Sequence, residues 1–281
     1  MTIKLIASDM DGTFLDDKGS YDRQRFEALL DRLDERGIRF VVATGNNMAR
    51  LNIMFRGLLD RLDFVVENGA HLLVRGKTIK RFVLDQKDVT QFLDYFKDDL
   101  AAYRVILTGT KHSYMLKAAK WDITNHMISQ EEAQAFVDAI VRLDTFDDIP
   151  EDETIVKMSM MTGDASQADA VMADFNAHFT GNLRAVTSGY GTIDIVQTDV
   201  HKAAGLQVLM ERFGLVSDDV MAFGDSGNDV EMLELAHDSY AVANAPQSIK
   251  AHAKKLAPSH KENGVLAVIE QYLDSHSDEL S

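Results

Sequence analysis

Short apolar runs that alternate with helical patterns constrain the fold of this chain more than any other feature. The runs are rich in β-branched residues and are apolar without alternation, which is typical of strands buried on both faces of a parallel sheet. They lie at Lys4–Ser8, Ile38–Ala43, Asp63–Val66, Val220–Phe223 and Tyr240–Ala243. This rhythm predicts a doubly wound α/β fold, with a Rossmann-like parallel sheet that binds ligands at the carboxyl ends of its strands.

A stripe of apolar residues at helical spacing lies between the first two runs. It consists of Phe26, Leu29, Leu30 and Leu33, and Gly37 follows where a C-terminal cap belongs. The stripe therefore predicts a helix that ends just before Gly37.

The middle of the chain loses this rhythm. The stretch "HLLVRGKTIKRFVL" predicts a hairpin that turns at Arg75–Gly76–Lys77. Beyond it we predict strands at Arg104–Leu107, Ser113–Lys117, Ile155–Met161 and Arg184–Thr187, and helices at Asp88–Leu100, Glu131–Leu143 and Ala165–His178. A chain of 281 residues has room for two domains. We therefore predict an α+β cap domain, residues 84–187, inserted into a core made of residues 1–83 and 188–281.

Composition narrows the classes of partner. The net charge is −16, from 29 basic and 45 acidic residues, and such a surface repels nucleic acid and anionic membranes. The absence of cysteine excludes disulfides, thiolate metal sites and cysteine nucleophiles. No signal peptide and no apolar run of about 20 residues is evident, so we expect a cytoplasmic protein without a membrane span.

Polar residues cluster where predicted parallel strands end. They are Asp9 and Asp11 after the first strand, Thr44, Gly45 and Asn46 after the second, and Asp225, Asn228 and Asp229 after a later one. Four carboxylates at one crevice form a hard, oxygen-rich site, which predicts Mg²⁺ bound between Asp9 and Asp225.

A magnesium site of this kind usually holds a phosphate. Thr44 offers a hydroxyl, Gly45 and Asn46 offer backbone N–H groups, and Lys202 offers a positive charge. One carboxylate of the pair can then attack phosphorus, while the other carries a proton to the leaving oxygen. Gly12 permits the sharp turn that follows the pair.

The ordered set of motifs resembles the haloacid dehalogenase (HAD) superfamily of aspartyl-phosphate phosphatases. The shared elements are D-x-D-G-T after the first strand, a threonine after the second, a later lysine, and G-D-x-x-N-D. "SDMDGT", "ENGA" and the large insert resemble the Cof-type branch, and "TSGYGTID", "HKAAG" and "GDSGNDVEML" are similar to its bacterial sugar phosphatases.

The resemblance implies a role for each acid. Asp9 is implied as the nucleophile and a metal ligand. Asp11 is implied as the acid/base, with its backbone carbonyl on Mg²⁺. Asp225 is implied as a metal ligand and Asp229 as the residue that holds metal-bound water.

The resemblance also implies that Thr44 and Lys202 hold the phosphoryl group, and we include Met10 and Asn228 as candidate phosphate-binding residues. The common Cof-type motif has T-G-R where this chain has T-G-N, so a cation is missing at Asn46. Asn46 is either part of a helix N-cap or a ligand contact.

Two residues of the predicted cap are candidates for substrate contact. Lys157 lies in the otherwise apolar strand "IVKMSMM", where it either faces solvent or reaches toward the substrate. Asp194 either binds sugar hydroxyls or pairs with a lysine.

These features together predict an Mg²⁺-dependent phosphomonoesterase that hydrolyses small sugar phosphates through an aspartyl-phosphate intermediate. Two alternatives stay open at this point. One is a phosphomutase or phosphotransferase that returns the phosphoryl group to a sugar phosphate, and the other is a regulatory protein that binds a phosphorylated ligand. The expected partners are small phosphorylated metabolites, and no protein partner is indicated.

Overall fold

A computed structural model describes residues 2–120, 138–162, 165–189 and 191–276. The chain forms two compact units, one from Met1–Lys80 together with His201–Ser281, and the other from Arg81–Val200. No helix in these described ranges is long and apolar enough to cross a membrane.

The first unit contains a sheet of eight strands, counted over the described residues, in the order β14-β13-β12-β1-β2-β3-β4-β5. Its strands are β1 (Leu5–Ser8), β2 (Arg39–Ala43), β3 (Asp63–Val66), β4 (His71–Val74), β5 (Lys77–Arg81), β12 (Val220–Gly224), β13 (Asp238–Val242) and β14 (Lys255–Ala257). All neighbours from β14 to β3 pair in parallel, and β4 is antiparallel to β3. The predicted parallel α/β core is therefore confirmed.

The helices of this unit cover the sheet with apolar faces. They are α1 (Arg23–Glu35), α2 (Met48–Met54), α5 (Lys202–Phe213), α6 (Val230–Leu235), α7 (Gln247–Lys250) and α8 (Gly264–Ser275). Helix α1 buries the predicted stripe of Phe26, Leu29, Leu30 and Leu33, and Gly37 follows its end with a φ of 65°. The positive φ is accessible to glycine without steric cost, which is why the helix stops there.

The hairpin of β4 and β5 turns where the sequence predicts. Arg75 and Gly76 both have positive φ, 50° and 71°. Two adjacent residues of this kind form the tight turn whose twist matches that of the flanking strands.

The second unit has its own sheet, in the order β10-β11-β9-β6-β7-β8. Its elements are α3 (Gln86–Tyr95), β6 (Ile106–Gly109), β7 (Ser113–Leu116), β8 (Ile140–Leu143), β9 (Ile155–Met161), α4 (Ala165–His178), β10 (Leu183–Gly189) and β11 (Thr192–Gln197). A separate core includes Phe92, Met158, Phe175 and Ile193, all fully buried.

Two sequence predictions need correction in this unit. The boundary at residue 187 is too early, because β11 pairs antiparallel with both β10 and β9 and carries the unit on to Val200. The predicted helix Glu131–Leu143 is wrong over Ile140–Leu143, which pair in parallel with β7 as a strand. Its residues 131–137 lie outside the described residues. Whether this unit acts as a cap stays a prediction.

Candidate active site

The register of the central strands brings their carboxyl ends together. Ser8, the last residue of β1, lies opposite Phe223 on one side and Val42 on the other. The residues that follow these three strands therefore share one edge of the sheet. Strand β1 lies between β2 and β12, so the strand order runs from β1 toward β3 on one side and toward β14 on the other. Such a switch point is where open α/β sheets bind ligands.

Lys202 joins two of the acids at this edge. Its ammonium is fully buried and donates to Asp9 Oδ1 and to Asp229 Oδ1, at 2.6 Å each. Helix α5 places it there, because Lys202 is the first helical residue and the His201 side chain accepts the Ala204 N–H as the N-cap. The sheet edge thus holds a buried carboxylate–ammonium–carboxylate chain.

Asp229 is oriented by the backbone that precedes it. Its Oδ2 accepts the N–H groups of Asp225 and Ser226, both at 3.0 Å, while its Oδ1 faces Lys202. A Cβ on Gly224 would lie 2.5 Å from the Asp229 Cβ, so only glycine lets the carboxylate fold back against the strand. Asp229 is therefore held rigidly from both sides.

Asp225 is fixed by the turn that follows Asp9. The Thr13 hydroxyl donates to Asp225 Oδ1 at 2.8 Å. Gly12 has a φ of 82°, and a Cβ there would lie 2.6 Å from Asp225 Oδ2. The predicted need for glycine at this turn thus comes from the close approach of the Asp225 carboxylate.

The acids are short of positive charge. Burial raises the pKa of Asp9 well above its ordinary value, and Asp229 and Asp225 raise it further against the pull of Lys202. Burial and the charge of Asp229 raise the pKa of Asp225 to about 6. For Lys202, burial would lower the pKa, but its two carboxylate partners raise it. Shifts of this kind are typical of functional sites.

A divalent cation fits this cluster. Oxygens of Asp9, Asp225 and Asp229 lie within 4.8 Å of one another. Among the described residues, the cluster holds three carboxylates and the one ammonium of Lys202, which pairs with Asp9 and Asp229, so two negative charges are left when all are ionised. Hard oxygen ligands and this charge suit a small divalent metal ion.

Asp11 stands apart from that cluster. Its two carboxylate oxygens pair with the guanidinium of Arg50, at 2.9 and 3.0 Å. Asn46 Nδ2 donates to Asp11 Oδ2 at 2.6 Å, and Asn46 Oδ1 accepts from Arg50 Nη1 at 2.9 Å. The cation that the sequence lacks at Asn46 thus comes from Arg50, four residues later in the first turn of α2, a residue that the sequence analysis missed.

The segment after β2 surrounds a buried hydroxyl. Thr44 is 1% exposed, and its Oγ1 accepts the backbone N–H and the side-chain Nδ2 of Asn46. A Cβ on Gly45 would come within 3.2 Å of Asn68 Oδ1. The N-cap of α2 is Asn47, whose side chain accepts the Arg50 N–H, so Asn46 is free of the capping role.

Asn228 and Met10 are the other candidates at this edge. Asn228 Nδ2 donates to Asn68 Oδ1 at 2.9 Å, and its Oδ1 accepts from the Ser226 hydroxyl. Asn68, which the sequence analysis also missed, adopts a left-handed conformation and is 2% exposed. Met10 packs its side chain in the hydrophobic core, so it can offer a phosphate only its backbone.

Lys157 and Asp194 lie in the second unit and bind each other. Lys157 Nζ is 2.9 Å from Asp194 Oδ2, and the Ser159 hydroxyl donates to Asp194 Oδ1 at 2.9 Å. Asp194 faces Ser159 directly across the β9–β11 ladder. Of the two interpretations of Asp194, the pairing with a lysine is observed. Contact of Lys157 or Asp194 with a substrate stays a prediction.

Comparison with known proteins gives consistent relatives over nearly the whole chain. A family model of haloacid dehalogenase-like hydrolases matches residues 6–269. The chain is 34% identical over 274 residues to the 5-amino-6-(5-phospho-D-ribitylamino)uracil phosphatase YbjI of Escherichia coli, covering 97% of each protein. It is 26% identical over 288 residues to YwtE of Bacillus subtilis, which has the same described activity, covering 96% of this chain and 98% of YwtE.

Solved structures agree with these relatives. SMU.1108c of Streptococcus mutans superposes with a TM-score of 0.84 at 35% identity, covering 97% of this chain and all of the other. A sugar phosphatase, BT4131, has a TM-score of 0.74 at 19% identity, covering 96% of this chain and 98% of the other, and at that identity it shares the fold alone.

Proposed function

The chain belongs to the family of haloacid dehalogenase-like hydrolases and is a phosphatase, and on that premise we propose that it is an Mg²⁺-dependent phosphomonoesterase that acts on small sugar phosphates through an aspartyl-phosphate on Asp9. The observation that carries the proposal is the cluster of Asp9, Asp225 and Asp229 around Lys202. It combines a nucleophile, a cation site and an ammonium at one edge of the sheet.

Asp9 and Asp225 would hold the metal together with the Asp11 backbone carbonyl, and Asp229, which brings an oxygen close to those of Asp9 and Asp225, would hold metal-bound water. When bound, Mg²⁺ supplies positive charge that offsets the repulsion between an anionic nucleophile and an anionic phosphate. The raised pKa values of Asp9 and Asp225 fit this assignment, because a cation would favour the ionised carboxylates that burial and mutual repulsion disfavour.

The first chemical step uses Asp9 as nucleophile. One of its carboxylate oxygens attacks phosphorus, the bond from phosphorus to the leaving oxygen breaks, and Asp11 gives that oxygen a proton. Lys202 keeps Asp9 in place and screens the approach of the phosphate. Among the residues that the structure describes, Thr44 Oγ1 accepts from Asn46 and donates to none, so its own proton would serve a phosphate oxygen.

The second step returns the enzyme to its starting state. Water attacks the phosphorus of the aspartyl-phosphate, Asp11 takes up a proton of that water, and the bond between phosphorus and Asp9 breaks. Inorganic phosphate leaves, and both aspartates have regained their original form.

The substrate class is supported by the relatives. YbjI and YwtE are named for a substrate that carries a phosphate on a ribityl group, which is a chain of hydroxylated carbons. We propose that this chain likewise acts on terminal phosphates of small polyhydroxylated molecules. The relatives are named phosphatases, which favours transfer to water over return of the phosphoryl group to a sugar.

The decisive experiment compares Asp9→Asn with the exposed control Asp60→Asn. With Mg²⁺ and p-nitrophenyl phosphate, we expect Asp9→Asn to lose at least about 10³-fold in kcat and the control to keep its rate. Acid quenching followed by mass spectrometry should find the phosphoryl group on Asp9. If Asp9→Asn keeps more than about 1% of the activity, the proposed nucleophile is wrong.

Substrate class and metal are tested on the wild-type enzyme. Release of phosphate from ribose 5-phosphate and glucose 6-phosphate should exceed that from phosphoserine in kcat/KM. A chelator should abolish all three activities, and Mg²⁺ should restore them. Faster turnover of phosphoserine would contradict the sugar-phosphate assignment without affecting the nucleophile.

A further inference from the structure

Asp11 pairs with the guanidinium of Arg50, whereas Asp9 and Asp229 pair with the ammonium of Lys202. Two guanidinium nitrogens of Arg50 face the two Asp11 oxygens, at 2.9 and 3.0 Å. Arg50 lies on the first turn of α2, and Asn46 lies just before the helix N-cap, Asn47, so the start of the helix brings the two side chains together. A parallel pair of N–H···O bonds fixes both the distance and the plane of a carboxylate.

Asn46 completes this arrangement by bridging its two partners. Its amide nitrogen donates to Asp11 Oδ2 and its amide oxygen accepts from Arg50 Nη1. The same nitrogen also lies 3.0 Å from Thr44 Oγ1. Asp11 is thereby tied to the segment that carries the candidate phosphate-binding hydroxyl, and no rotation of its side chain is possible without breaking several bonds.

The bonding pattern assigns a chemical role to the carboxylate. Arginine only donates hydrogen bonds, and an oxygen that faces it acts as an acceptor. The described residues give Asp11 Oδ2 two donors and Oδ1 one donor. A carboxylate has about four acceptor positions, so one on Oδ1 is left for a proton of a water molecule.

We propose that Arg50, bridged by Asn46, is a positioning residue that holds Asp11 as an acceptor for the water that hydrolyses the aspartyl-phosphate. This inference rests on the proposed function and assigns Arg50 to its second step. In that step water forms a bond to phosphorus, its proton passes to Asp11 Oδ1, and the electrons of the breaking phosphorus–oxygen bond return to Asp9.

The test separates the two steps with p-nitrophenyl phosphate. Its leaving group departs as a stable anion without a proton, so the first step proceeds without Asp11 as acid. In Arg50→Ala we expect hydrolysis of the phosphoenzyme to slow about 10²-fold, the scale of a displaced general base. Because kcat/KM reports only steps up to phosphorylation of Asp9, we expect kcat and KM to fall together while kcat/KM stays within about threefold.

Two further readouts accompany the steady-state rates. Rapid mixing should show a burst of p-nitrophenolate stoichiometric with enzyme, and acid-quenched protein should carry phosphate on Asp9. The matched control is Arg56→Ala, an exposed arginine just after α2, which should show neither. Arg50→Lys keeps the charge but not the planar pair of donors, so it should also accumulate phosphoenzyme and serves if Arg50→Ala does not fold.

Other outcomes overturn the inference. A parallel loss of kcat and kcat/KM without phosphoenzyme would place Arg50 at the substrate phosphate, and wild-type behaviour would make it an ordinary surface residue. Failure of the proposed function itself has a separate signature, which is full activity in Asp9→Asn and no phosphoryl group on wild-type Asp9. The Arg50 inference would fall with it.

Discussion

In the absence of divalent cations, the free energy of unfolding of this protein should fall as pH rises from about 5 to about 8. The cause is Asp225, whose pKa is raised from 3.8 to about 6 in the folded state, mainly by burial and by Asp229. A carboxyl whose folded pKa is raised binds a proton more tightly when folded, so its contribution is present below its unfolded pKa and is lost as pH rises through about 6.

The magnitude follows from the two pKa values. At pH 5 an acid with a folded pKa of about 6 and an unfolded pKa of 3.8 contributes about 1.4 kcal/mol, and at pH 8 its contribution is close to zero. Asp9 acts in the same direction, because its pKa is also raised. We therefore expect a loss of about 1–2 kcal/mol or somewhat more across this range.

Urea unfolding in chelator, followed by far-ultraviolet circular dichroism, measures this loss. Asp225→Asn should flatten the pH dependence, and the exposed Asp60→Asn should leave it unchanged. At pH 8, Mg²⁺ at 100 times its Kd should stabilise the wild type by about 2.7 kcal/mol, and the same concentration should stabilise it less at pH 5. Equal slopes for wild type and Asp225→Asn, or no effect of Mg²⁺ at pH 8, would refute the charge deficit at the cluster.

Three other changes test neighbouring features. Gly12→Ala adds a Cβ 2.6 Å from Asp225 Oδ2 at a φ of 82°, so Mg²⁺ titrations of activity should shift to higher concentration and stability should fall by about 1–2 kcal/mol. Lys202→Met leaves two buried carboxylates without their ammonium, and urea unfolding should show a loss of about 3–5 kcal/mol that a second change to asparagine at Asp229 partly restores. Lys157→Ala should lower kcat/KM for sugar phosphates and spare p-nitrophenyl phosphate, and equal losses on both would remove it from substrate recognition.

The sequence predicted that the acids lie close together, because each follows a strand that can be recognised from its own residues. Each strand that precedes Asp9, Thr44 and Asp225 is short, apolar and parallel, so the sheet itself aligns the residues after the strands. Lys202 required more than periodicity, and the resemblance to a family supplied its role. The structure then gave the distances that join it to Asp9 and Asp229.

Arg50 was not predicted because the comparison of T-G-R with T-G-N considered a cation only at position 46. What matters for Asp11 is a positive charge close to its carboxylate, whichever residue supplies it. Arg50, four residues after Asn46 in the sequence, supplies that charge. The available signal was an arginine in the first turn of the helix that begins after Asn46 and Asn47. Strand pairing was the other gap, since Ile140–Leu143 and Thr192–Gln197 are assigned by partners distant in sequence.

The position of β1 has a consequence for how this chain acquires its structure during synthesis. Strand β1 is bordered by β2 and by β12, and the whole second unit, Arg81–Val200, lies between β2 and β12 along the chain. A ribosome that has reached Val200 has therefore produced a strand that is buried along its whole length in the final fold but still has one open edge, the geometry that invites pairing with another chain. Asp9, which follows β1, likewise has no ion-pair partner in Lys202 until that residue is synthesised, so the acid cluster assembles only late in translation, when Lys202 and β12 emerge.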